Sequence, residues 1–217
     1  AQFQAGVENC TQEHVTALMG HGFPVGHTSK AIAERIKRIR SKIHFIKNDD
    51  EIALKSFLKA MWITIPDFTL ATYDQHTYNY DELHILFNAV QMLARRERLE
   101  LHLTMYQHIY DVYESLVETE IYLLPTLLNN MSVLYMESGH LTKALLYVNL
   151  GLDYIKEELV LIDLPGLLLC KGLILYHMNI STYDLYIQSA LDLLTLNNRH
   201  DVVQKALGDM ISKHGLD

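Results

Sequence analysis

Apolar residues recur three and four positions apart along most of the chain, which is the spacing of one face of an α-helix. Between 29 and 47 the stripe consists of isoleucines, and most of the positions between them are polar. A second clear stripe is made by Leu83, Leu86, Phe87, Val90 and Leu93. The pattern predicts helices throughout, including a pair at 29–47 and 51–65 and a last helix at 199–214.

An internal repeat organises these helices, with a spacing of 41 residues. Leu86-Phe87-Asn88 corresponds to Leu127-Leu128-Asn129 and to Leu168-Leu169-Cys170. Each segment is followed by a second helical pattern, and the middle pair is predicted at 119–137 and 140–157. Gly139 lies between these two, where a helix end favours glycine. So short a turn predicts antiparallel neighbouring helices.

The middle copy also resembles the tetratricopeptide consensus, although the period is longer than the usual one of about 34 residues. The large, small and glycine positions of that consensus are occupied by Leu128, Met131, Ser132, Tyr135, Gly139, Leu141, Ala144, Val148 and Gly151. The sequence therefore predicts an all-α fold over 29–217, a right-handed solenoid of antiparallel helix pairs. Residues 1–28 are set apart as an N-terminal segment to which the pattern assigns no definite structure.

Composition narrows the classes of protein that fit. A hydrophobic fraction of 49% and a charged fraction of 20% are typical of a folded chain rather than a disordered one. The net charge of −8 disfavours direct binding to nucleic acid. Cys10 and Cys170 stand far apart, so neither a zinc site nor a disulfide framework is expected, and a reducing cytoplasm suits them. No apolar run reaches the roughly 18 residues that a membrane span requires.

Catalytic and metal-binding signatures are missing from the sequence. The 12 histidines include no HExxH motif and no pair four positions apart. The glycine-rich segment 20–26 lacks the lysine of a phosphate-binding loop. We therefore expect no enzyme activity, no cofactor and no metal. The basic run at 30–42 fits a solvated helix face or a phosphate contact.

The repeat predicts a binding surface, because the first helix of each pair lines the concave side of a solenoid. Asn88 and Asn129 recur at the same position, and a side-chain amide can both donate to and accept from an extended peptide backbone. Alternatively, these amides bond across neighbouring helices. The predicted inward residues are Ile85, Asn88, Met92, Arg95, Thr126, Asn129, Val133, Met136, Leu167, Cys170, Ile174 and His177, with Lys171 at the edge.

Residues 30–215 resemble the C-terminal sensing region of Rgg/PlcR-type quorum-sensing regulators. The resemblance is carried by Tyr80-Asp81-Glu82-Leu83, by Leu127-Leu128-Asn129-Asn130-Met131 and by Leu141-Thr142-Lys143-Ala144-Leu145. It implies a cytoplasmic homodimer that binds a short peptide pheromone on its concave face and controls promoters through an N-terminal helix-turn-helix domain. No clear domain of that kind precedes the repeats here, although 11–20 is similar to one of its helices.

Residues 1–28 are accordingly interpreted as a remnant of, or a linker to, a DNA-binding domain. The alternative function is a general tetratricopeptide scaffold that holds another protein, without a regulatory peptide.

Overall fold

The computed structural model describes residues 50–94, 99–116, 123–161, 163–197 and 199–209, together with 212 and 214. These ranges contain helices, turns and loops but no β-strand. The chain divides into two compact units, Ala1–Thr77 and Tyr78–Asp217.

The described part of the first unit contains α1, Asp50–Met61, and a short 3-10 helix, Tyr73–Gln75. The buried face of α1 includes Phe57, which is packed away from solvent. After α1 the chain turns, and Trp62 Nε1 donates a hydrogen bond of 2.7 Å to the carbonyl oxygen of Phe68. This hydrogen bond joins the two ends of the loop 62–68.

The structure describes only part of the N-terminal region for which helices were predicted. The helix predicted at 51–65 is present but ends at Met61, and residues 62–64 form turns. The helix predicted at 29–47 and the division predicted between 28 and 29 lie outside the described residues.

The described part of the second unit contains three successive helix pairs and a further helix. They are α2 Tyr80–Ala94 and α3 Leu99–Ser115, α4 Leu123–Glu137 and α5 Leu141–Glu157, α6 Leu164–His177 and α7 Tyr183–Leu196, followed by α8 His200–Asp209. Each helix contacts the next, and α4 also contacts α6. The first helices of the second and third pairs therefore lie side by side, as in a stack of repeats. The prediction of an all-helical fold is confirmed for the described residues.

Three helices end in the same way, with a residue in the left-handed conformation that reverses the chain. Gly139 ends α4 with a φ of +77°, Leu159 ends α5 with a φ of +54°, and Asn179 ends α6 with a φ of +57°. At the first of these, the amide of His140 donates to the carbonyl oxygen of Tyr135 at 2.8 Å, which is the Schellman pattern. Ile180 makes the equivalent bond to Leu175 at 2.9 Å.

These ends correct the register of the third repeat by one residue. The period of 41 residues places Ile180 opposite Gly139, but the left-handed residue is Asn179. The same shift places Gly172 at the small-residue position of Ser132. A Cβ at Gly172 would lie 2.5 Å from Ile187 Cγ1 on α7, so this glycine faces the second helix of its pair.

Candidate functional site

The predicted inward residues differ widely in their exposure to solvent. Ile85 and Met92 each expose 1% of their surface, and Ile174 exposes none. Asn88 and Met136 are also buried. The half-buried residues are Thr126, Asn129, Val133 and Lys171, and His177 is exposed. Arg95 lies outside the described residues.

The burial of Ile174 follows from the corrected register. One residue along an α-helix turns the side chain by about 100°. Leu167, Cys170 and Ile174 therefore belong to the apolar cluster that also contains Met136, and they do not form an open surface. Ile85 and Met92 lie on α2 and are core residues as well. In this structure the accessible part of the predicted site is on α4 and at the edge of α6.

The amide nitrogen of Asn88 finds its hydrogen-bond partner within its own helix. Its Nδ2 donates a hydrogen bond of 2.6 Å to the carbonyl oxygen of His84, four residues earlier. This local bond differs from both sequence interpretations, which were a ligand contact and a bond between helices. It is a common arrangement for a short polar side chain within a helix.

Asn129 has a different environment. Its Oδ1 is buried and accepts no hydrogen bond from the described residues. Its Nδ2 lies against Gly166 in the first turn of α6, where a Cβ would approach it to 2.9 Å. One turn earlier, Thr126 Oγ1 donates to Oδ2 of Asp163, a residue with a φ of +56°. The two contacts tie α4 to the start of α6 at one face.

Lys171 and His177 contact other side chains. The ammonium group of Lys171 is 4.6 Å from the centre of the Tyr186 ring on α7, which is a cation–π distance. His177 Nε2 is 2.9 Å from His214 Nδ1. The structure thus brings Thr126 and Asn129 together with Asp163 and Gly166. Sequence reasoning missed the last two, because their place beside α4 depends on helix packing.

An aromatic cluster joins the first and second pairs. The rings of Tyr135 and Tyr147 stack with centres 5.3 Å apart and an interplanar angle of 1°. Tyr147 also donates a hydrogen bond of 2.6 Å to Gln107 Oε1 on α3. The hydroxyl groups of Tyr113 and Tyr154 lie 3.5 Å apart. The last two contacts join the second helix of the first pair to the second helix of the second pair.

The described residues offer little for covalent or metal chemistry. Burial, with a smaller contribution from the charge of Glu137, raises the pKa of the Cys170 thiol to about 12, so the thiol stays protonated at neutral pH. No three His, Cys, Asp or Glu side chains in the described ranges are grouped to hold a metal ion. Among the helices described, none combines the length and apolar character that a bilayer crossing needs.

No protein-family model matches the chain, and no curated protein matches it either. Solved structures do match. PlcR of Bacillus thuringiensis, in complex with the peptide PapR7 and DNA, is 11% identical with a TM-score of 0.53, over 82% of this chain and 76% of that chain. A variant of a putative kinesin light chain from Podosopora anserina, with nearly identical TPR-like repeats, is 8% identical with a TM-score of 0.53, over 86% of this chain and 85% of that chain.

At such low identities these likenesses show the fold alone. Together with the stacked pairs of the second unit, they define the chain as an all-helical protein with tetratricopeptide-like repeats. The fold class predicted from the sequence is confirmed.

Proposed function

We propose that the unit Tyr78–Asp217 binds a short peptide at the face where α4 meets the start of α6. In this proposal the chain is the peptide-sensing, dimerising part of a cytoplasmic transcriptional regulator. The observation that supports it best is the amide of Asn129, whose buried Oδ1 has no hydrogen-bond donor among the described residues.

The energetics favour a ligand at this amide. A buried acceptor without a donor costs about 1–3 kcal/mol, and an arriving peptide N–H group would remove that cost. The amide carries both an acceptor and two donors, so it can bond to an N–H and a C=O group of an extended backbone. The terminal torsion of asparagine is broad and roughly two-fold. Asn129 can therefore turn either group towards a ligand.

The surroundings suit a peptide with apolar side chains. Asn129 is half-buried between Thr126, one turn earlier, and Val133, one turn later, on the same helix. Thr126 is engaged with Asp163, while Val133 offers apolar surface beside the core cluster. PlcR, which shares this fold, was solved with a bound peptide.

In the regulatory part of the proposal, peptide binding changes the arrangement of the second and third helix pairs. A peptide that contacts both α4 and α6 prefers the arrangement of the two pairs that places both contacts correctly, and it shifts the population towards that arrangement. DNA would be engaged by a helix-turn-helix domain rather than by these repeats, since the chain carries a net charge of −8. Dimerisation through the repeats is part of the same proposal.

A second candidate function is a scaffold that holds a segment of another protein without a signalling peptide. The observation that favours it is the equal TM-score of 0.53 to the putative kinesin light chain. The two candidates differ in their ligand and share the binding face.

Native mass spectrometry with a pool of short hydrophobic synthetic peptides tests the proposal. The wild-type chain should retain a peptide, and Asn129→Ala should lose at least tenfold in affinity. Asn149→Ala is the matched control, because Asn149 is a half-buried asparagine on the second helix of the same pair. It should bind as the wild type does.

Equal loss in both variants would contradict the role of Asn129. Absence of any bound peptide, with a protein segment retained instead at the Asn129 face, would favour the scaffold.

A further inference from the structure

Gly166 packs against a single side chain of the neighbouring first helix. A Cβ added to it would lie 2.9 Å from Nδ2, 3.7 Å from Cγ and 4.0 Å from Oδ1 of Asn129. These three nearest atoms all belong to one amide group. The first distance is shorter than a real Cβ contact, so either the amide or α6 would have to move.

The amide is the group more able to move. Asn129 Oδ1 makes no hydrogen bond to the described residues, so packing rather than bonding holds its position. The helices are fixed more firmly, because Thr126 on α4 is hydrogen-bonded to Asp163 just before α6. Thr126 and Asp163 are 37 residues apart, and Asn129 and Gly166 have the same separation one turn further along.

We propose that Gly166 is a positioning residue for the Asn129 amide. Having no side chain, it leaves room for Asn129 Nδ2 beside the first turn of α6, and a larger residue there would displace the amide from the binding face. The effect of Gly166 on peptide binding rests on the proposed function, in which the Asn129 amide contacts the peptide. The packing of Gly166 against the Asn129 amide can be tested without any peptide.

The test is a double-mutant cycle in the full chain, followed by thermal unfolding. Gly166 has no left-handed φ, so its backbone accepts alanine. Gly208→Ala is the control, because a Cβ there meets nothing within 4 Å and should raise Tm. We expect Gly166→Ala to lower Tm in the wild-type background and to raise it, as the control does, in the Asn129→Ala background.

A spectroscopic measurement separates positioning from a general loss of stability. The side-chain amide signals of Asn129 in a ¹⁵N–¹H NMR spectrum can be identified by their disappearance in Asn129→Ala. They should shift in Gly166→Ala and stay in place in Gly208→Ala. Unmoved signals, or the same Tm change in both backgrounds, would overturn the inference.

Two further outcomes are decisive. If Gly166→Ala does not fold, a folded double variant with Asn129→Ala supports the inference, and an unfolded one overturns it. If the two sites are coupled but no peptide from the hydrophobic pool binds the wild type, the proposed function fails while the packing role of Gly166 stands.

Discussion

Tyr147 connects two helix pairs through one side chain. Its hydroxyl group donates to Gln107, and its ring stacks on Tyr135. Burial, followed by the influence of Tyr135, raises the pKa of Tyr147 from 10.0 to about 12. The folded state thus disfavours the ionised hydroxyl, and the unfolded chain loses this proton first as the pH rises. The resulting stabilisation is complete below pH 10 and is lost as the pH approaches 12.

Replacing Tyr147 with phenylalanine should therefore change the dependence of stability on pH. At neutral pH we expect a loss of about 1 kcal/mol in the free energy of unfolding, from the missing hydrogen bond. Between pH 10 and 12 the stability of Tyr147→Phe should fall less steeply than that of the wild type. Urea unfolding at a series of pH values measures both effects. Parallel curves for the two proteins would contradict this account.

Helix contacts in the second unit depend on glycines that meet a neighbouring helix closely. A Cβ at Gly172 would lie 3.0 Å from the backbone oxygen of Tyr183, and backbone atoms yield little. A Cβ at Gly151 would lie 2.8 Å from Leu167 Cδ2, which is the end of a flexible but fully buried side chain. The two sites therefore differ in how well they can adapt to an added methyl group.

This difference predicts an order of stability among three alanine variants. Gly151→Ala should cost about 1–3 kcal/mol, as overpacking of a core usually does. Gly172→Ala should cost more, because α6 and α7 must separate. Gly208→Ala should gain about 0.5–1 kcal/mol, since it only removes glycine from a helix. Chemical denaturation of the three variants gives the order, and a stable Gly172→Ala would disprove the close packing of α6 on α7.

The sequence predicts elements well where one signal dominates. Gly139 predicts the turn between α4 and α5, because glycine adopts a left-handed backbone most readily, and the structure has that conformation there. The end of α6 was misplaced by one residue because Asn179 takes the same conformation with a weaker sequence signal.

The proposed binding face follows from the sequence only in part, for a related reason. Helical spacing identifies residues that share a face, and it groups Thr126, Asn129 and Val133, which are half-buried on α4. It does not say which face of a largely apolar helix meets the core, and so Ile85 and Met92 are buried instead of exposed. The period of 41 does not lead to the neighbour of Asn129, because Gly166 lies beside it at a separation of 37, the same separation as between Thr126 and Asp163.

At the scale of the whole chain, the unit Tyr78–Asp217 has a core of its own. Leu127 and Leu128 on α4 are fully buried, and the cluster that extends to the third pair includes Val148 and Ile174. In a solenoid each pair buries its apolar face against its neighbours, so about three repeats are needed for stability. The three pairs described in this unit meet that minimum.

We therefore expect a fragment of residues 78–217 to fold without the first unit and to unfold in one cooperative transition, followed by circular dichroism. A shorter fragment, 78–162, is the control. It lacks Leu167, Cys170 and Ile174, which fill the apolar cluster against α4 and α5, and should lose the cooperative transition. Cooperative unfolding of the shorter fragment would mean that the third pair contributes little to stability. An unfolded longer fragment would mean that this core depends on residues before Tyr78.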